Sequence, residues 1–79
     1  MAKNDWVLRV DNRGKKIVSS SMVVGWGTRD GDESVVVTLS SISKEYILLI
    51  DDGYYENEYG RYKTQNAAIN AVKKYMRRN

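Results

Sequence analysis

Tyr59-Gly60-Arg61-Tyr62-Lys63-Thr64-Gln65-Asn66-Ala67-Ala68-Ile69-Asn70-Ala71-Val72-Lys73-Lys74-Tyr75-Met76-Arg77-Arg78-Asn79 reads as a strand end running into a capped helix. Thr64 has the side-chain oxygen that an N-cap uses to accept a hydrogen bond from the first turn. From Gln65 onward there is neither Gly nor Pro, and Ala67, Ala68 and Ala71 favour helix intrinsically. At 100° per residue, Ala68, Ile69, Val72, Tyr75 and Met76 share one face, the stripe that a helix turns to a core. Asn66, Asn70, Lys73, Lys74, Arg77 and Arg78 fall opposite, and the four cations sit where the helix dipole favours positive charge. The pattern predicts an amphipathic helix over 65–78 with a basic outer face.

The rest of the chain reads as sheet for that helix to cover. Its 79 residues make one domain, of a size that buries roughly 60–65% of the unfolded chain's surface on folding. With no Cys and no His, disulfides and a structural zinc site are excluded. The core must come from aliphatics, two Trp and six Tyr. No apolar run approaches the ~20 residues that span a bilayer, and Met1-Ala-Lys-Asn-Asp5 lacks the apolar core of a signal peptide. The expectation is a soluble, cytoplasmic protein with no membrane partner.

Along the chain, residues 1–4 are expected to fray. Asp5–Asp11 alternates, with Trp6, Leu8 and Val10 on one side and Val7, Arg9 and Asp11 on the other, as in a half-buried strand. Asn12-Arg13-Gly14-Lys15 supplies a turn, and a long second strand follows from Lys16 to Trp26. The Ser19–Ser21 stretch marks a bend or a close approach. After a polar loop at 28–33, Ser34–Ser41 forms a third strand, with Val35, Val37 and Leu39 on one face and Val36 and Thr38 on the other. Lys44–Ile50 is apolar on both faces, as in a strand covered on both sides. Asp51-Asp52-Gly53 is a turn. Strand character then falls at Tyr54–Glu56 and Gly60–Lys63, with Glu56-Asn57-Glu58 as either a second turn or part of a twisted strand.

These elements sum to an α+β domain: an antiparallel sheet of four to five strands (5–63) packed on one C-terminal α-helix (65–78). A single helix covers one sheet face. Val7, Val36 and either Ile47 with Leu49 or Tyr46 with Leu48 and Ile50 are left on the other. That face is either a surface for a partner or a second copy, or it is hidden by closure towards a partial barrel.

The net charge of +3 is uneven. Residues 1–27 carry +3, residues 28–60 carry −6, and residues 61–79 carry six cations and no acid. Segregated charge steers partners, or becomes self-complementary once the sheet folds.

Several chemistries are closed to this chain. Without His or Cys there is no serine–histidine triad, cysteine nucleophile or imidazole acid–base pair. Asp30, Asp32, Glu33, Asp51, Asp52, Glu56 and Glu58 all fall in expected turns, where carboxylates are solvated rather than catalytic. Asp30-Gly-Asp32-Glu33 and Asp51-Asp52-Gly53 lack the spacing of a calcium loop. Gly25-Trp26-Gly27 lacks the third glycine of a dinucleotide fingerprint, and there is no Walker-type phosphate loop. No catalytic residue, metal or cofactor is expected.

Nucleic-acid binding has a footprint of its own. The pI is about 9.3, and Lys73, Lys74, Arg77 and Arg78, extended by Arg61 and Lys63, make a candidate electrostatic surface. Lys15 and Lys16 could extend it further, and Tyr54, Tyr55 or Tyr59 could stack bases.

Gly60-Arg-Tyr-Lys-Thr64, followed by Ala68, Ala71 and Val72, resembles the Gly-x-aromatic-x-Thr-x-x-x-Ala junction of AP2-like and integrase N-terminal DNA-binding domains. The resemblance covers this junction alone. It implies a sheet packed on one helix, with DNA bound by the sheet face away from that helix. In overall style the Cys-free single domain is similar to small phage accessory proteins.

The leading expectation is a non-enzymatic binding or regulatory module acting by protein contact. Its partner is a protein or a second copy, in a phage or mobile-element accessory role such as modulating a host factor or defence system. The contact residues are Val7, Val36, Ile47, Leu49, Asp51, Asp52, Glu56 and Glu58. The alternative is direct DNA or RNA binding through the basic helix.

Overall fold

The computed structural model describes residues 5–13, 22–40 and 42–78. Five strands, β1 (Trp6–Asp11), β2 (Met22–Thr28), β3 (Ser34–Leu39), β4 (Tyr46–Asp51) and β5 (Glu56–Tyr62), precede one helix, α1 (Gln65–Arg78). The strands pair in chain order as an antiparallel meander, with β1 and β5 at the two edges. The domain is thus an α+β layer pair, one sheet and one helix.

The helix begins as its sequence dictates. Ala67 N–H donates to Thr64 Oγ1 at 3.1 Å, and Ala68 N–H donates to the Thr64 carbonyl at 3.2 Å. Thr64 is therefore the N-cap. Ala68, Ile69 and Val72 are buried, and Ala71, Tyr75 and Met76 pack on the core they join. Opposite them stand Val23, Val24, Val35, Val37, Leu48 and Ile50. The cross-strand pairs Val37 with Leu48 and Val35 with Ile50 put Leu48 and Ile50 on the helix side. Ile47 and Leu49, which pair with Thr38 and Val36, lie on the far side. β4 is apolar on both faces, yet helix covers only one of them.

Three bulges correct the simple alternation. In β1 the register slips between Leu8 and Val10, so Arg9 is the extra residue. Val10 then shares a face with Val7 rather than with Trp6. In β2 the slip between Met22 and Val24 makes Val23 the extra residue, and both Val23 and Val24 are fully buried. In β5 the slip lies between the partners of Leu48 and Leu49, Gly60 and Glu58, and makes Tyr59 the extra residue. The segment 56–62 is thus one continuous bulged strand, not two short pieces divided by a turn.

The remaining differences are at element ends. The second strand reaches Thr28, and its expected portion before Met22 lies outside the described residues, as do Gly14, Lys15, Ser19–Ser21 and residues 1–4, for which fraying was expected. Within the described residues the sheet is open, with a pairing partner for β1 and β5 on one side only. Tyr75 nevertheless touches rings from both edges. Its centroid is 6.0 Å from that of Trp6 on β1 and 5.6 Å from that of Tyr59 on β5. Both contacts are edge-to-face, the arrangement the ring quadrupole favours. A flat five-strand sheet would hold its edges about 19 Å apart, so the strand twist curls this sheet around the helix.

Candidate functional site

Two surfaces offer themselves. The first is the sheet face away from α1. Register places Val7, Gly27, Ser34, Asp51 and Glu56 in one row across it, and Gly25, Val36, Leu49 and Glu58 in the next. Thr38, Ile47 and Arg61 form a third row beside Met22. Val7, Val10, Val36, Ile47 and Leu49 are half-buried and Met22 is exposed, with no element of the described chain above them.

Gly25 and Gly27 shape this face. A Cβ on Gly25 would stand 3.2 Å from Met22 Sδ, and one on Gly27 would stand 3.4 Å from Arg9 Nε. The two glycines thus form a trough in which Met22 and Arg9 lie flat. Arg9 is held there by donating from Nη2 to the Thr28 carbonyl at 3.0 Å. The face therefore has an aliphatic centre, Arg9 on its β1 side, and a charged cluster on its β5 side. In that cluster Arg61 meets Glu58 at 3.0 Å and Glu45 at 4.0 Å. Glu58 is held below its ordinary range by its hydrogen bonds from Arg61.

Of the expected contact residues, Val7, Val36, Ile47, Leu49, Asp51, Glu56 and Glu58 share this face. Asp52 does not join them: its Oδ1 accepts from the Tyr54 and Tyr55 amides, both at 2.9 Å. Those amide bonds, from Tyr55 and Tyr54, hold its carboxyl below the usual carboxylate range. Asp51 Oδ1 likewise accepts from Gly53 N–H at 2.8 Å. Asp30 accepts from Thr28 Oγ1 at 2.7 Å and from the Asp32 amide at 3.1 Å, and is also lowered. These carboxylates fix their own turns. Among the described residues no group of three or more acids is placed to hold a metal ion.

The second surface is a groove of about 490 Å³ between α1 and the edge strand β5. Ala67 and Ala71 form its floor, Tyr59, Tyr62 and Tyr75 its aromatic walls, and Asn70, Lys74 and Arg78 its polar rim. Tyr62 reaches into it because Gly60 has no side chain: a Cβ there would stand 2.8 Å from the Tyr62 hydroxyl. Burial pushes the Tyr75 hydroxyl up, helped by the charges of Glu33, Tyr59 and Asp52.

Lys73, Lys74, Arg77 and Arg78 are all exposed and make no ion pair with any described residue. Lys63 is exposed at the link from β5 to α1. Arg61 is separated from them, paired to Glu58 and Glu45 on the far sheet face. Tyr54 and Tyr55 project from the β4–β5 turn and do not line the groove. Sequence reading missed Arg9, Val10 and Met22 on the first surface and Tyr62, Asn70 and Tyr75 on the second. The paired glycines of Gly25-Trp26-Gly27 were the legible signal for the trough.

Comparison of the chain with family models, with curated proteins and with solved structures finds no match. The likeness of the 60–72 junction to AP2-like domains thus rests on its residues alone. The sheet face away from α1 carries Val7, Val36, Ile47 and Leu49, while Trp26 pairs with Val35 on the helix side.

Proposed function

We propose that this protein is a non-enzymatic binding module that works by protein contact through the sheet face opposite α1. The occupant of that face is a second copy of the chain. The observation that carries this reading is the patch of half-buried aliphatics, Val7, Val36, Ile47 and Leu49, on a face that no element of the described residues covers. Charge favours self-pairing. A two-fold axis parallel to the strands lays β1 of one copy over β5 of the other, which brings Arg9 towards the Glu58 cluster. Stacked sheets pack about 10 Å apart, and Met22 and Arg9, lying flat over Gly25 and Gly27, leave no tall side chain to hold the two faces apart.

The size of the face sets the expected strength. Five strands of about six residues present roughly 400 Å² to a partner, below the ~800 Å² per side of a standard interface. Association is therefore weak, suited to a module that assembles at high local concentration. The phage or mobile-element role, with modulation of a host factor or defence system, is the biological setting we propose, and it rests on the resemblance alone. The state of association in solution tests the reading, with Val36→Asp as the variant confined to this face.

A further inference from the structure

The groove between α1 and β5 has a chemistry that the sheet face lacks. Three phenol rings stand around a floor of two alanines, with one side-chain amide and two cations on the rim. We propose that this groove binds single-stranded nucleic acid, with an unpaired base against Tyr59 and the backbone phosphates on Lys74 and Arg78. This inference is independent of the self-association proposed above.

Three observations argue for that occupant. The first is charge: Lys74 and Arg78 have no ion-pair partner among the described residues, so an anion meets cations that need not break an existing bond. They are spaced four residues apart on one helix face, side by side along the rim. The second is the aromatic surface. Tyr59 is 55% exposed, yet its ring is anchored in a T-shaped contact with Tyr75 at 5.6 Å, so an exposed ring is held at little ordering cost. Base–aromatic stacking is sequence-tolerant because every base has a π-face. The third is Asn70, which lines the same groove: its amide both donates and accepts, as a base edge requires.

Two other occupants fit less well. A duplex keeps its bases stacked away from the tyrosines and reaches only the cations. An acidic extended peptide, added as a strand to the edge of β5 that has no partner among the described residues, would meet Glu56 and Glu58 on that strand. The volume falls within the range of about 300–1,000 Å³ usual for ligand sites, and Ala67 to Arg78 extends about 16 Å along the helix axis.

The test is fluorescence anisotropy with a labelled thymidine dodecamer, with the same probe annealed to its complement as duplex, between about 50 and about 200 mM salt. Two phosphate contacts give a logarithmic salt slope of about −1.4, or about sevenfold weaker binding across that range. Tyr59→Ala is expected to weaken binding about tenfold and Tyr59→Phe to retain it. The Lys74→Ala/Arg78→Ala pair is expected to remove the salt dependence, while Lys73→Ala/Arg77→Ala, off the groove, changes affinity less than about threefold. Circular dichroism of each variant confirms that the fold is kept. Four results would each overturn the proposal: no binding at low salt, equal binding of the duplex, equal loss in the Lys73/Arg77 pair, or full competition by hexaglutamate.

Discussion

The phenol of Tyr62 occupies the space in which a side chain on Gly60 would stand, 2.8 Å from its hydroxyl and 3.1 Å from Cζ. Gly60 and Tyr62 sit two apart on the helix-facing side of β5, opposite Leu48 and Tyr46. The glycine is therefore there to seat the ring, and the ring lines the groove. Gly60→Ala is expected to displace Tyr62 and cost about 1–3 kcal/mol, the usual cost of overpacking. In a Tyr62→Ala background the sign should reverse, because Ala is better than Gly in a strand interior by about 0.5–1 kcal/mol. A double-mutant cycle by urea unfolding checks this. Additive effects would mean that the two residues do not share that space.

Val72 lies fully buried under the helix, facing the sheet core. Val72→Ala removes two methyl groups and leaves a cavity, for an expected loss of about 2 kcal/mol. Val72→Asp places an unpaired carboxylate there and is expected to unfold so small a domain. The far-ultraviolet circular dichroism of the two variants, followed through thermal melts, makes the comparison.

Gly53 has φ +98, and a Cβ there would stand 2.9 Å from the Asp32 carbonyl oxygen. This is where the β4–β5 turn packs on the β2–β3 loop. Gly31 has φ +84 with open space around it. Both Gly→Ala changes carry backbone strain of roughly 1–2 kcal/mol, but only the one at Gly53 also separates two loops. Gly53→Ala is expected to lower the thermal midpoint clearly more than Gly31→Ala. Equal losses would show that the loop contact contributes nothing.

Acid stability follows from the turn carboxylates. Asp52 is lowered by the Tyr55 and Tyr54 amides and Asp30 by Thr28 and Asp32, each from an ordinary value of 3.8. A carboxylate lowered in the folded state stabilises fully above its unfolded value, and that stability is lost as pH falls through the folded one. The loss is therefore expected below about pH 4, and it should be shallower in Asp52→Asn. Urea midpoints between about pH 5 and about pH 2.5 are the readout.

How much of this was legible in the chain depends on periodicity. The helix came through whole, cap included, because Thr64 and the 68–69–72–75–76 stripe are local signals. The layer order followed, since one helix leaves one face of β4 uncovered. What sequence could not supply was the bulges. Each inserts one residue into a ladder whose partner is far along the chain, so Arg9, Val23 and Tyr59 carry no local mark. The slip at Arg9 moved Val10 to the open face. Of the two readings of 56–58, turn or twisted strand, the structure takes the strand, and the slip at Tyr59 carries that ring to Tyr75. The groove was illegible for the same reason: Tyr75 reads as core, and only the seat at Gly60 and the bulge beside it bring Tyr59, Tyr62 and Tyr75 around one groove.

Sedimentation velocity across protein concentration, on the native chain and on Val36→Asp, tests the self-association most directly. Weak self-association predicts monomer near 1 µM and dimer accumulating towards about 1 mM, in keeping with a face smaller than a standard interface. Val36→Asp is expected to remain folded and monomeric throughout, because Val36 lies at the centre of the open face. A native chain still monomeric at about 1 mM, or a Val36→Asp variant that dimerises equally well, would contradict it.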